Sequence, residues 1–347
     1  MNRRVRLGIV SYAHLHAPRY TAAVAEHPLA ELAGIAGTGL NDGVARDEAH
    51  RYGVPYFDDY RTLLDQAGVE AIYVGTEPTR HLEVVQEAAR RGVHVLCDKP
   101  IATNLADADA IVVTARRAGI KLMVPFNPRY QLPVMRCKQE LASGEAGELV
   151  AIYAVKYGKL PTWARSPQQA DWFLDPQQSG GGGFLDIGIH AVDALRWLAG
   201  AEAVRVYARM GTLVHPQLQA EDLGVMTVEF ANGVVGVLSA GWVNPESHPA
   251  WLDVRFEVLA TQRTYLIDSP YHAFTLYKPE GLERRPWWRR DVYGLVDEFV
   301  RAILEDREPA ITGEDGRAAL AIVLAAYESS KRGQVVDLNS WPAVSPQ

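Results

Sequence analysis

Four short apolar runs separated by segments of helical spacing limit what the first 120 residues can fold into more than any other feature of this chain. Val5–Val10 and residues 31–36, 71–75 and 93–97 are each too short for a helix, and the last two are rich in β-branched residues. Between and after them, residues 19–27, Asp42–Tyr52, 81–91 and 104–118 carry helical spacing. Gly92 reads as a left-handed cap, Asn104 as an N-cap with Asp107 in the first turn, and Gly119 as the stop behind it. Strand and helix alternating at this interval mean βαβ units, hence a parallel sheet with right-handed crossovers. Ligands in such folds sit beyond the carboxyl ends of the strands.

After Asn127 the pattern changes. Residues 150–157, 204–212, 224–230, 234–240, 252–259 and 263–267 read as strands, with turns at 231–233 and 261–263. Helices are expected over residues 184–198, 292–304 and 316–331. Antiparallel strands with a helix on one side make an α+β unit, and a broad uncovered sheet face suits a homo-oligomer. At 347 residues the chain exceeds what one core usually fills, so two domains are expected, 1–125 and 126–347, with the C-terminal helices able to pack back on the first.

Composition removes several classes of function. No segment approaches the ~20 apolar residues of a membrane span. Cys97 and Cys137 are the two cysteines, too few for a disulfide framework, which suggests a reducing compartment. A net charge of -7 argues against binding to nucleic acid or an anionic membrane. The start, Met1-Asn2-Arg3-Arg4-Val5, runs into the first strand without a signal-peptide pattern, so a cytoplasmic location is expected.

Two stretches carry chemistry. Cys97-Asp98-Lys99-Pro100 ends a buried strand, and Pro100 disfavours helix at Lys99, holding the lysine extended at the sheet rim. Such a lysine either donates to a reacting oxygen or is a solvated lysine before a turn. Residues 180–183 are four glycines feeding a helix with Asp186, His190 and Asp193 at i, i+4 and i+7. Leu185, Ile189, Val192 and Leu195 form its apolar stripe and Gly200 closes it. An imidazole flanked by carboxylates is oriented and made more basic, as a general base must be; a plain surface ion pair is the other reading. The glycine run favours the first, as a hinge, because a packed scaffold has little use for so much backbone entropy.

The dinucleotide signals are weaker. Where G-x-G-x-x-G would follow the first strand, Ser11, Ala13 and His16 fill the glycine slots of Ser11-Tyr12-Ala13-His14-Leu15-His16. The second strand ends Gly37-Thr38-Gly39 with no carboxylate until Asp42 and no arginine at its tip, leaving the choice between NAD and NADP open.

Taken together, these residues resemble the Gfo/Idh/MocA oxidoreductases over residues 5–338, nearly the whole chain. The family's E-K-P motif is present as Asp98-Lys99-Pro100, with Glu shortened to Asp, and its G-G-G-x-x-x-D-x-G-x-H-x-x-D motif is intact through Asp186, His190 and Asp193. Gly53-Val54-Pro55 before Tyr60, Pro78 with His81, Gly92-Val93-His94-Val95, Phe126-Asn127-Pro128-Arg129-Tyr130, Thr312-Gly313-Glu314-Asp315-Gly316 and Ala326-Tyr327-Glu328-Ser329 also match. The resemblance implies an N-terminal Rossmann domain with a parallel sheet, and a C-terminal α+β domain whose large, mainly antiparallel open sheet makes a homodimer or homotetramer. It implies a secondary hydroxyl of a sugar or polyol as the reacting group and NAD or NADP as cofactor. Lys99, Asp186 and His190 would be catalytic. Ser11, Tyr12, Ala13, His14, His16, Gly37, Thr38, Thr76, Glu77, Pro78, His81, Asp98, Lys99 and Asn127 would line the cofactor. Substrate would meet Lys99, Arg129, Tyr157, Trp163, Trp172, Asp186 and His190; no metal is implied.

The three aromatics among these stand near the loop leading into the glycine run, where rings can stack on the C–H faces of a sugar or simply pack the loop. Trp287-Trp288-Arg289-Arg290 could reach cofactor phosphates or cap a neighbouring subunit. Three rival readings remain: a redox-neutral enzyme that oxidises a sugar carbon transiently, eliminates a group and reduces the carbon again; a non-catalytic cofactor sensor; and a metal-dependent barrel hydrolase, because His14-Leu15-His16 matches its H-x-H. The strand pattern after residue 150 speaks against that barrel.

Overall fold

The computed structural model describes residues 3–161, 171–268, 273–278, 281–286 and 291–341. Trp163 and the segment Trp287-Trp288-Arg289-Arg290 lie outside them. The chain divides into two compact units: Met1–Pro125 with Thr162–Gly180 and Val292–Leu320, and Phe126–Pro161 with Gly181–Asp291 and Ala321–Gln347. Residues 171–180 and 292–320 thus join the N-terminal unit, although they follow residue 125 in sequence.

In the first unit, β1 (Val5–Val10), α1 (Ala17–Ala25), β2 (Ala30–Ala36), α2 (Asp42–Tyr52), β3 (Tyr56–Phe57), α3 (Tyr60–Gln66), β4 (Ala71–Val74), α4 (His81–Arg90), β5 (His94–Cys97), α5 (Leu105–Ala118) and β6 (Leu122–Met123) alternate. The six strands are parallel in the order β3-β2-β1-β4-β5-β6. This is the doubly wound arrangement, with its switch point between β1 and β4. The central strands are buried on both faces, which is why they read as continuous apolar runs rather than alternating ones. Asn104 accepts from the amide of Asp107 as expected of an N-cap, and Gly92, at φ +69°, follows α4.

The second unit opens with α6 (Leu132–Ala142) and β7 (Leu149–Lys159); α7 (Pro176–Ser179) returns to the first. Then come α8 (Ile189–Ala199), β8 (Ala203–Gly211), β9 (Leu223–Phe230), β10 (Val235–Asn244), β11 (Leu252–Ala260), β12 (Thr264–Asp268), β13 (Ala273–Lys278) and β14 (Gly281–Pro286). The helices α9 (Asp291–Leu304) and α10 (Gly313–Arg332) and the short β15 (Val336–Asp337) end the chain. Seven strands form one sheet, β12-β11-β7-β10-β9-β8-β15. The sheet is mainly antiparallel, as expected; β7 and β10 are its one parallel pair, with the antiparallel hairpins β9–β10 and β11–β12 flanking β7 from opposite sides. One sheet face buries Ile152, Ala154, Val228, Leu238 and Val258; the other exposes Tyr153, Tyr207, Val225 and Val235. Among the described residues no helix is long and apolar enough to cross a membrane.

Candidate active site

The first unit gathers its polar residues beyond the carboxyl ends of β1, β2, β4 and β5. Ser11, at φ +74°, turns the chain out of β1; its Oγ lies 2.7 Å from Thr38 Oγ1 and accepts from the amide of Ala13. Tyr12 offers this loop its backbone, since its ring is buried and its hydroxyl bonds Thr21. Burial raises that phenol's pKa. Gly37 is required at the tip of β2, where a Cβ would meet Tyr56 Oη at 2.2 Å and Asp42 Oδ1 at 2.6 Å.

Asp98 is the hub. Its fully buried carboxylate accepts from Tyr73 Oη and, at 2.7 Å, from the amide of Lys99. His16 Nδ1 lies 3.2 and 3.1 Å from its two oxygens, and His14 Nδ1 lies 3.2 Å from Oδ2. Burial works against the charge, but the imidazoles of His14 and His16 and the Lys99 ammonium outweigh it and hold the carboxyl well below the usual range. Burial drives His14 the other way, well below the ordinary histidine value, against the pull of Asp98. The amide of His16 also lies within hydrogen-bond distance of His14 Nδ1, at 3.2 Å. The donor atoms of His14, His16 and Asp98 lie within 4.8 Å of one another. Among the described residues both larger sheets are open, not the closed barrel that the metal-hydrolase reading requires.

Lys99 is buried beside this hub, with Nζ 6.0 Å from the centroid of the Phe173 ring, and its peptide to Pro100 is cis. Trp172 and Phe173 pack on His14 at 6.0 and 5.5 Å between centroids. His81 Nδ1 lies 3.1 Å from the Ile101 carbonyl and Nε2 3.2 Å from the Thr76 carbonyl, and the neutral ring that burial favours donates to one of them. It therefore sits between the loop after β4 and the loop after Lys99, a placement the spacing alone does not reveal.

A nicotinamide dinucleotide fits these residues of the first unit. Thr76 Oγ1, Glu77 Oε2 and Trp172 Nε1 are buried without a hydrogen-bond partner, and the first two follow β4 at the switch point, where such a ligand's polar groups would satisfy them. Gly75 keeps the backbone there close to the Ser11 carbonyl, which a Cβ would approach to 3.1 Å.

The second unit holds the other motif, and here the glycine run is not a hinge. A Cβ on Gly181 would meet Tyr327 Oη at 2.1 Å, on Gly182 the Glu221 carbonyl at 2.0 Å, and on Gly183 the Asp222 carbonyl and Trp242 amide at 2.7 Å. A packed scaffold does use this many glycines, because the segment lies backbone against backbone along β9 and β10. The Glu221 carboxylate accepts from the amides of Gly182 and Phe184, each at 3.0 Å, and from Tyr327 Oη at 2.7 Å. Burial pushes its pKa up despite these donors.

The expected regular helix from 184 is also corrected. Phe184–Gly188 is a π-helical turn, and α8 starts at Ile189. Such turns occur often at functional sites. Here the turn carries Asp186, whose Oδ2 accepts from Trp242 Nε1 at 3.0 Å. His190 is buried against the edge of Phe126, with ring centroids 5.9 Å apart at 88°. Asp193 is not in a surface ion pair: it is buried, and accepts from Arg129 Nε at 2.7 Å and Nη2 at 2.5 Å. Arg129 thus commits a bidentate fork to Asp193. Tyr157 Oη pairs with Ser239 Oγ at 2.8 Å, and Asn127 donates to Asp291 at 2.9 Å while its Oδ1 lacks a partner.

Comparison with known proteins places this geometry. Residues 5–126 match the oxidoreductase family's NAD-binding Rossmann fold, and residues 134–266 match the GFO/IDH/MocA C-terminal domain. The chain is 30% identical over 285 residues to a 1,5-anhydro-D-fructose reductase of Ensifer adhaerens, covering 80% of this chain and 82% of that protein. It is 27% identical to a myo-inositol 2-dehydrogenase of Thermotoga maritima over 81% of this chain and 84% of the other. The crystal structure of GenD2 from gentamicin A biosynthesis in complex with NAD superimposes with a TM-score of 0.85 over 97% of each chain, at 24% identity. With both domains matched in order, this chain belongs to the Gfo/Idh/MocA family of oxidoreductases.

Proposed function

We propose that the chain is an NAD(P)-dependent dehydrogenase or reductase acting on a secondary hydroxyl, or the matching ketone, of a sugar or polyol. The observation that carries this reading is the placement of Lys99, a buried ammonium donor at the end of β5, beside a hub that keeps Asp98 ionised. The sugar and inositol substrates named for the relatives support the substrate class.

In the oxidative direction Lys99 donates to the substrate oxygen and steadies the charge that develops there, while His190 takes the hydroxyl proton. Asp186, fixed by Trp242, contacts the sugar and orients the imidazole. The nicotinamide, when bound, supplies the hydride acceptor. A donor so placed is worth about 2.7–4 kcal/mol and a positioned base about 10²–10⁴ in rate. Trp172 offers substrate a buried N–H that lacks a partner among the described residues. The apolar row on the exposed sheet face supports assembly with further copies of the chain.

A second reading, redox-neutral chemistry on a glycoside, is favoured by the imidazole pair. His14 and His16, with ring centroids 4.3 Å apart and both on Asp98, add acid–base groups where this fold usually has glycines. Titrating the purified chain with NAD⁺ and NADP⁺, after checking for co-purified cofactor, tests both. Reversible binding followed by cofactor reduction on a polyol supports the dehydrogenase; tightly held cofactor with glycoside turnover supports the second; binding of neither rejects both.

A further inference from the structure

The tip of β2 bears on the choice between NAD and NADP, which the order of residues leaves open. Asp42, the first residue of α2, turns back on that tip. Its Oδ1 accepts from the amides of Thr38 and Gly39, each at 3.0 Å, and its Oδ2 from Gly39 at 3.2 Å. The carboxylate missing from the strand end is therefore supplied from four residues beyond Thr38, and it occupies a nest of two backbone N–H groups. In a dinucleotide fold this is where the adenosine ribose lies.

Two arginines also reach this end of the sheet, although none is adjacent in sequence. Arg80 Nη1 donates to the Thr38 carbonyl at 2.9 Å. Its Nε and Nη2, however, are both on Glu83 Oε1, at 3.0 and 2.9 Å. The Arg46 guanidinium lies 4.5 Å from the centroid of the Tyr56 ring, and its Nη2 donates to Asp58 at 2.6 Å. Each cation carries its own carboxylate, while Asp42 is held by amides. The anion seat at the ribose is thus already filled by a fixed negative charge, and the nearest guanidinium is already neutralised.

We infer that Asp42 makes this chain select NAD(H) over NADP(H), with Glu83 reinforcing the choice by withholding Arg80 from a 2′-phosphate. This rests on the dinucleotide reading proposed above. A 2′-hydroxyl can donate to the Asp42 carboxylate, whereas a 2′-phosphate would compete with it for the same amides and be repelled by it.

Calorimetric titration of the full chain with NAD⁺ and NADP⁺ tests the inference without requiring a substrate. The wild-type chain should bind NAD⁺ at least about tenfold tighter than NADP⁺. Asp42→Asn should bring the two affinities within about threefold, chiefly by strengthening NADP⁺. Glu83→Gln, which breaks a surface pair and leaves the nest intact, should strengthen NADP⁺ binding and leave NAD⁺ unchanged. Equal or tighter binding of NADP⁺ by the wild-type chain would overturn the inference, as would an unchanged ratio in a folded Asp42→Asn. An unchanged NADP⁺ affinity in Glu83→Gln would overturn the part given to Glu83 and Arg80. Binding of neither cofactor would overturn the dinucleotide reading itself, a result distinct from loss of preference.

Discussion

Trp242 Nε1 donates to Asp186 Oδ2 across 3.0 Å, and this bond ties strand β10 to the π-helical turn ahead of His190. The Trp242 amide also donates to the Asp222 carbonyl at 2.7 Å, and Gly183, just ahead of the turn, packs against both groups. Asp186 is thereby fixed by a regular sheet although it lies in irregular helix, and its orientation does not depend on local propensity.

Trp242→Phe keeps most of the buried ring and deletes the N–H donor. Turnover should fall about tenfold with cofactor affinity unchanged, and unfolding free energy should drop by about 1–2 kcal/mol. Steady-state kinetics beside a denaturant titration checks this; unchanged turnover would show that Asp186 needs no such support.

The glycine run gives a sharper structural expectation. Gly182→Ala would force a methyl to within 2.0 Å of the Glu221 carbonyl, so backbone must move. A loss of about 3 kcal/mol or more is expected. Gly43→Ala, in α2 with nothing within 4 Å of the new methyl, should stabilise by up to about 1 kcal/mol. Chemical denaturation of the two variants separates a packing seam from a hinge, because a hinge glycine would tolerate alanine at Gly182.

Arg129 and Asp193 form a bidentate pair buried in the second unit. Removing one partner strands the other charge, so Arg129→Ala or Asp193→Ala should each cost about 3–5 kcal/mol. Replacing both together with apolar residues of similar volume should cost less than either alone. A double-mutant cycle on unfolding free energy measures this; additive losses would refute the pairing.

Stability should fall as pH drops from about 7 to 5. Burial depresses the folded-state pKa values of His14, His81 and His94. The unfolded chain therefore takes up protons near pH 6.5 that the folded chain refuses, which favours unfolding on the acid side. Asp98 adds to the trend only at lower pH, below the usual carboxylate value, where its depressed pKa makes protonation costly to the fold. Glu221, with its pKa raised, acts in the opposite direction. Denaturant midpoints across this range should decline toward acid, and His81→Gln should flatten the decline.

Much of the first unit is legible in the chain because β1, β4 and β5 are buried on both faces and their helices carry caps such as Asn104. β3 and β6 are two residues each and show no period, and α6 carries Pro133 in its first turn and residues of mixed polarity that hide its face. At the site, Lys99, Asp186 and His190 can be named from their motifs, and Asp98 as well. The use made of the glycines cannot, since it depends on how closely β9 and β10 approach residues 181–183. The return of Asp42 and the arrival of Arg80 at Thr38 are likewise long-range facts, set by where the turn after β2 points. Arg129 is a motif residue whose partner, Asp193, lies 64 positions away, so its pairing has no local signal.

The central claim is that Lys99 and His190 handle the proton and charge of a secondary alcohol during its oxidation. The most direct test is cofactor reduction by the wild-type chain on a panel of inositols, aldoses and other polyols, repeated with Lys99→Ala and His190→Ala. Turnover on at least one of these compounds, falling at least about a hundredfold in each variant while cofactor binding persists, is the expected result. Wild-type turnover in either variant would contradict the role given to that residue.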